Sequence, residues 1–316
     1  MSYPINRLML ACLLAIAGAV AFLAMNRVVG WSLTWQFRSD KLLTMLVVAP
    51  CIAMSTVAFQ TITFNRILTP SVMGFDALYM LLQALVVALL GSVALSDMNP
   101  YLKWAGEILL MVAMVTLLFR WLFGGKRRDL FLMILIGIIF GILFRSATDL
   151  IMRILDPVEY AAVLDASFAS FNQVNKDLLL ASMVICIVPM LALWRWRHRF
   201  DAMLLGRDQA INLGVDYNRQ VTKTLICIAI LVAVPTALVG PITFFGLLVA
   251  NLAYQFSGTH KHAYVMPMAV AISVTFLVGG QAVLEHVFNY GSALAIIIEF
   301  LGGLVFILLI LQRGKR

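Results

Sequence analysis

Charge is what this chain has least of. Of its 316 residues only 12% are Asp, Glu, Lys or Arg, while 63% are hydrophobic, and the mean hydropathy is +0.99. Soluble domains carry about 25% charged and about half apolar residues, so an ordinary water-soluble globule is excluded. Cysteine is scarce too: Cys12, Cys51, Cys186 and Cys227 all lie in apolar runs without C-x-x-C spacing. That pattern reads as small buried hydrophobes rather than a disulfide framework or thiolate ligands. No G-x-x-x-x-G-K-[S/T] phosphate loop occurs, since Gly124-Gly125-Lys126-Arg127 lacks both the upstream glycine and the hydroxyl residue. The chain therefore does not bind ATP in that way. Short alternating segments, the mark of a membrane β-barrel, are missing as well.

What remains is a series of apolar runs near 20 residues, the length that crosses about 30 Å of hydrocarbon at about 1.5 Å per residue. The periodicity predicts an all-α polytopic membrane protein, one domain over residues 1–316, with about ten spans. They are expected at about 7–25, 42–62, 72–92, 102–123, 130–152, 178–195, 222–239, 242–255, 264–285 and 292–312. The first is read as a retained helix rather than a cleaved signal peptide, because it gives an even span count with a consistent charge bias. The eighth is too short to cross untilted and reads as a partial helix. Pro50, Pro189 and Pro235 fall within spans, where neighbouring helices re-satisfy the freed carbonyls.

The formal net charge of +8 follows the loops rather than a nucleic-acid surface. With the N-terminus in the cytoplasm, 16 Lys and Arg residues fall inside and seven outside, which predicts both termini inside. The longest outer loop, 153–177, carries Asp156, Glu159, Asp165 and Asp177, with Pro157 as a helix breaker, and suits a short surface helix or an external contact. Inside, residues 195–223 hold six of the 23 basic residues, after the anchor Trp194-Arg195-Trp196-Arg197-His198-Arg199. Within this loop Ala210 and Leu213, then Ile211 and Val215, recur at helical spacing. Arg207, Asp208, Gln209 and Asn212 supply polar surface, and Gly206 and Gly214 punctuate the ends. A short amphipathic helix and a plain solvated connector both fit that pattern. Just beyond, Gly240-Pro241 and then Gly246, beside the short eighth run, predict a tight re-entrant turn rather than a plain crossing.

Gly206-x-x-x-Ala210-x-x-Leu213-Gly214 followed by Gly240-Pro241-Ile242-x-Phe244-x-Gly246-Leu247 resembles the permease subunits of bacterial iron-chelate and vitamin B12 ABC importers. Arg38-x-x-Lys41, the small-residue helix from Ala49 to Ala58, and Gln60-x-x-x-x-Asn65-x-x-Leu68-x-Pro70-x-x-x-Gly74 look like that family's second-helix signature. Gly302-Gly303 fits its last span. The resemblance covers essentially the whole chain and implies the type II ABC importer permease fold in a bacterial inner membrane. It implies that 206–214 (Gly206, Arg207, Asp208, Ala210, Leu213, Gly214) is the coupling helix seated in an ATPase. Arg38 and Lys41 would meet acidic residues of a periplasmic or lipid-anchored solute-binding protein, a contact suited to transient docking. Gly240, Pro241, Gly246 and Asn251 would shape the pore and its re-entrant turn. ATP and Mg would sit on the partner ATPase, a second permease, identical or not, would complete the pore, and a ferric siderophore would be the cargo. No catalytic residue, no metal ligand and no cofactor are assigned to this chain, and its other surroundings are lipid. The chain departs from the family pattern at three places: Ala250-Asn251 stands for Pro-His, Asn65-Arg66 for Asn-Pro, and Lys41 for the family's second outer-loop Arg.

Glu107, Glu285 and Glu299 lie within spans, with Asp76 and Asp149 near edges. Such groups are costly in lipid and face protein or water. They read as structural pairs rather than a proton relay. His260 and His262 sit in a short inner turn without acidic or cysteine neighbours in sequence and do not read as a metal site. The alternative function, an ion-coupled secondary transporter of a small solute, asks for paired intramembrane acids and bases or matching broken helices in two halves, and only one Gly-Pro break is evident. An intramembrane enzyme asks for converging nucleophile and base, and adjacent Glu285 and His286 point about 100° apart on a helix.

Overall fold

A computed structural model describes residues 4–24, 31–123, 130–172 and 174–286, together with eight helical positions between 294 and 307; side chains within 31–37, 92–97, 118–123 and 130–134 lie outside the description. All regular structure among these residues is helical. The elements are α1 (Pro4–Ala24), α2 (Trp31–Thr63), α3 (Phe75–Asp97), α4 (Pro100–Phe123), α5 (Leu130–Met152), α6 (Pro157–Ala166), α7 (Lys176–Arg195), α8 (Arg197–Met203), α9 (Arg207–Asn212), α10 (Tyr217–Val239), α11 (Phe245–Ser257) and α12 (His262–His286), with a 3-10 turn at Pro70–Met73. Seven of these, α1, α2, α4, α5, α7, α10 and α12, are long and apolar enough to cross a membrane, and the 75–91 part of α3 is a shorter apolar helix. The predicted tenth span, with Glu299 and Gly302, falls largely outside the described residues.

Burial sorts the helices. In α2, 78% of the membrane window is buried, against 6% in α1, so α2 is the central post and α1 a lipid-facing outer helix. Among the buried side chains of α2 are Ala49, Cys51, Ala53, Val57 and Ala58, small enough for α7, α10, α11 and α12 to approach closely. In lipid, where burial between helices gains little from the hydrophobic effect, such close contact is what holds a bundle together. Cys51 and Cys186 are buried and free, as expected of small apolar fillers.

Two elements depart from simple crossings, and both start at the middle of the bundle. Helix α3 does not begin at the membrane face: the chain turns through Pro70–Met73 and a left-handed Gly74 (φ 96°). Gly74 lies against Gly141, near the midpoint of α5, so closely that a Cβ on Gly74 would come within 2.8 Å of the Gly141 Cα. The third predicted run thus hides a break at its start, and α3 has a second non-helical residue at Gly91. In the same way α10 stops at Gly240, and the chain returns to start α11 at Phe245. With 13 residues α11 is a half-length helix of about 20 Å. A Cβ on Gly246 would overlap the Thr56 hydroxyl of α2, which sets the depth of this turn at the middle of α2. A tight turn thus stands at Gly240-Pro241, where the glycine–proline pattern expects a break.

Pro157 starts a helix rather than breaking one. It occupies the first turn of α6 behind an extended Asp156, where a missing N–H costs nothing. Replacing Gly74 by Ala tests the crossing at Gly141. Left-handed backbone alone costs a non-glycine residue about 1–2 kcal/mol, before the overlap is counted. A thiol-reactive dye following exposure of Cys51 and Cys186 on heating in detergent is expected to report a lower midpoint for Gly74→Ala; an unchanged midpoint refutes the close packing.

Candidate functional site

The 195–216 segment forms one end of the bundle, here termed the basic end. Arg197 lies 4.7 Å over the Trp194 ring, and Phe200 and Met203 of α8 are fully buried beneath it. Arg199 donates to Gln220 Oε1 at 3.0 Å, tying α8 to α10. Beyond α8 the chain opens at Gly206 (φ 107°) and forms a single-turn helix, α9, that closes at Gly214 (φ 83°). Ala210 is buried and its carbonyl accepts from Val215 N. Leu205, Ile211 and Leu213 are exposed at 61%, 49% and 62%, beside exposed Arg207, Asp208 and Gln209. The segment is thus a folded knob with apolar side chains turned outward. Leu213, which the helical spacing paired with Ala210, is on the outside.

Directly above α8 sits a group that sequence reading missed. His262, the first residue of α12, is wholly buried. Asp201 Oδ1 accepts from its backbone N–H at 2.8 Å and from its ring Nδ1 at 2.7 Å, and Nε2 lies 2.7 Å from Thr61 Oγ1 of α2. The Thr61 hydroxyl donates to Val57 O at 2.9 Å, which leaves its oxygen to accept from the ring. Burial pushes the Asp201 carboxyl up, but hydrogen bonds from the His262 ring and backbone, with the nearby His262 and His198, outweigh it and hold the group below its usual 3.8. The expectation that His262 lacks an acidic companion is corrected: the companion is 61 residues away. The only available signal was a single acid, Asp201, in the basic run from Arg195 to Gly206.

Two departures from the family pattern, at Asn251 and Arg66, meet beside this group. Asn251 Nδ2 donates to the Arg66 carbonyl at 3.3 Å and to Leu247 O at 2.9 Å, and Gln60 Nε2 donates to the same Arg66 carbonyl at 2.8 Å. The Arg66 guanidinium lies 4.5 Å over the Tyr254 ring and donates to His260 Nδ1 at 3.1 Å. Asn251 therefore belongs to the basic-end contacts of α2 and α11. Gly240, Pro241 and Gly246 lie at the mid-bundle turn, so the four residues grouped in sequence do not form one site.

At the far end the structure puts Arg38 and Lys41 inward. Lys41 Nζ is 3.0 Å from Glu285 Oε1, and Arg38 Nη2 is 3.7 Å from Oε2, with side chains 13%, 11% and 4% exposed for Lys41, Arg38 and Glu285. Arg38 Nη1 also donates to Phe22 O at 2.8 Å, and Gln281 Nε2 donates to Glu285 Oε1 at 3.0 Å and to Asn172 Oδ1 at 3.3 Å. Lys176 bonds Asp40 at 2.9 Å on the surface above. Glu285 is thus a structural pair, its basic partners supplied by another helix. Glu107 has a structural partner too, Gln83 Nε2 at 2.7 Å. A separate cavity of about 630 Å³ opens between α3, α5, α6 and the turn after α10. Its walls carry Asp76, Arg145, Asp149, Arg153, Tyr160 and Thr243.

With this geometry the chain can be set beside known proteins. The FecCD transport family matches residues 7–312. The petrobactin import system permease protein YclO of Bacillus subtilis is 45% identical over 285 residues, 90% of each chain. The petrobactin import system permease protein FatC of Bacillus anthracis is 35% identical over 272 residues, 86% of this chain and 77% of that one. In structure, a metal-chelate type ABC transporter in an inward-facing conformation superimposes with a TM-score of 0.85 at 23% identity, covering 97% of this chain and 99% of that one. That likeness establishes the fold.

Removing one partner of a buried ion pair costs about 3–5 kcal/mol, because the remaining charge is stranded. Glu285→Ala is therefore expected to lower the melting midpoint in detergent by many degrees. Replacing all three charges by methionine is expected to recover most of the loss. Equal destabilisation by both variants refutes the charge argument.

Proposed function

The chain belongs to the FecCD transport family, and on that premise we propose that it is the permease subunit of an ATP-driven importer carrying a ferric siderophore across a bacterial inner membrane. The observation that carries this reading is 45% identity over 90% of the chain to a petrobactin import permease. The cargo is then a petrobactin-type iron chelate. The chain performs no bond chemistry; ATP and Mg are bound by a separate ATPase, and a second permease and a solute-binding protein complete the machine.

Each proposed contact has a physical counterpart. The knob at 206–214 offers Ile211 and Leu213 with Arg207 and Asp208, and Leu205 just before it, an outward apolar patch with a charged rim suited to a cleft in the ATPase. Placing the basic end in the cytoplasm agrees with the excess of Lys and Arg there and puts both termini inside. The Arg38–Lys41–Glu285 cluster then faces the outer side. Docking of the solute-binding protein at Arg38 and Lys41 is a competition, in which an acid of the partner takes the place of Glu285. The cavity beneath α6 has the volume of a small-molecule site, and its two arginines and two aspartates suit a chelate bearing charges of both signs.

The cargo is tested by uptake of radioactive iron supplied as ferric petrobactin. Deleting the chain in a strain without redundant importers is expected to abolish uptake, and plasmid copies to restore it; undiminished uptake refutes the reading. The ATPase contact is tested separately. Exchanging 206–214 for a Gly/Ser segment is expected to abolish co-purification of the ATPase while the chain still reaches the membrane, and full retention of binding and transport contradicts it.

A further inference from the structure

Helices α2 and α12 run antiparallel and are tied at both ends. At the basic end Thr61 meets His262 at 2.7 Å, and at the far end Lys41 meets Glu285 at 3.0 Å, with Arg38 beside it. Arg38 and Thr61 are 23 positions apart on α2, and His262 and Glu285 are 23 positions apart on α12. Either interval is about 35 Å of helix, just more than the roughly 30 Å of hydrocarbon between the two faces of a bilayer. The two ties therefore lie near opposite membrane faces. Neither helix can slide past the other without breaking one of them, and breaking either strands buried polar groups.

The basic-end tie has a third member from outside the pair, as the far-end tie does where Arg38 donates to Phe22 O of α1. Asp201 belongs to α8, which continues through Leu204 and Leu205 into Gly206 and α9. One oxygen, Oδ1, holds both the ring and the first backbone N–H of α12, so the carboxylate also caps that helix at its positive end. Phe200, one residue earlier, puts its ring 5.5 Å from the His262 ring. α8 thus grips α12 through one charged contact and one packed ring, while α9 rests on α8 and α10.

We propose that Asp201 and His262 are positioning residues for transport: they make the joint through which movement of the 206–214 knob shifts α2 and α12 together, as one strut, and so reaches the Arg38–Lys41–Glu285 cluster at the other face. The proposal rests on the reading of 206–214 as the ATPase contact. It separates two things that a merely structural network keeps together, the rate of ATP hydrolysis and the use made of it. Losing the joint leaves hydrolysis running and disconnects it from the far face.

The test uses the complete importer in proteoliposomes, this chain with its ATPase, second permease and solute-binding protein. Wild type, Asp201→Asn, Asp201→Glu and Thr61→Val are compared for melting midpoint, ATP hydrolysis, stimulation of hydrolysis by the loaded binding protein, and ferric petrobactin taken up per ATP. Lys176→Ala, which removes only the surface pair with Asp40, is the control. Asp201→Asn keeps an oxygen for the α12 cap but loses the charge. It is expected to assemble and hydrolyse ATP with its stimulation gone and uptake per ATP reduced about tenfold, a coupling loss of ordinary size. Thr61→Val is expected to act in the same direction, Asp201→Glu to recover part of the ratio, and the control to match wild type. An unchanged ratio and stimulation in both Asp201→Asn and Thr61→Val overturns the joint. So does a fall of uptake and hydrolysis in equal proportion with a lowered midpoint, which is plain destabilisation. A wild-type complex stimulated by its binding protein but idle toward ferric petrobactin fails the cargo reading alone, and stimulation then decides the joint.

Discussion

A polar group on a helix surrounded by helices has no water to turn to, and α2 carries many such groups. Its hydroxyls are mostly satisfied at home: Thr44, Ser55, Thr61 and Thr63 donate to carbonyls three or four residues back on the same helix. Arg38, Lys41, Gln60 and the acceptor side of Thr61 cannot be satisfied that way. Each must find a partner elsewhere, and in lipid an unmet group costs several kcal/mol. Glu285, the Arg66 carbonyl and His262 are those partners. The requirement to satisfy α2 therefore decides which helix lies beside it, in which direction and in which register.

The mid-bundle turns follow from the same central helix. Gly246 lies against Thr56, while Gly74 is drawn onto Gly141 of α5. Two half-depth starts, α3 and α11, converge at one level, and irregular backbone is tolerated there because it is buried in protein rather than exposed to lipid. A small space of about 20 Å³ between Ile52, Thr56, Pro70, Asp76, Pro235 and Gly246 marks where they close on α2. The buried centre contrasts with the two ends of the bundle, where the Arg38–Lys41–Glu285 cluster and the outward apolar knob lie.

Two departures from the family pattern lie at the basic end. Asn251 and Arg66 share one contact, an amide donating to a main-chain carbonyl. A proline in place of Arg66 keeps its carbonyl, so that bond survives such a change; what Arg66 adds is its side chain, stacked on Tyr254 and bonded to His260. Both residues thus sit at the junction of α2 with α11 and the start of α12, next to Asp201 and His262, where the knob joins the bundle.

Much of the architecture was legible in the residues themselves. Run length and apolarity are local properties, so nine of the ten expected spans coincide with helices among the described residues, most within a few positions. Gly240-Pro241 beside a short run announced its turn because glycine and proline act on their own backbone. The break before α3 was less visible, since Pro70 and Gly74 stand at the edge of a continuous apolar run and only contact with Gly141 reveals why α3 starts at mid-depth. The charged residues were least legible. Sequence could say that Glu285 needed a partner, but the partners lay on a helix more than 200 residues away, and it turned Arg38 and Lys41 outward where folding turns them in. By itself the chain's composition and periodicity determined that it is a helical membrane bundle, because lipid allows that solution to its backbone. Tertiary structure alone decided which charges meet, because ion pairs and hydrogen bonds of about 3 Å depend on the register between helices, and register is a property of two surfaces rather than of one.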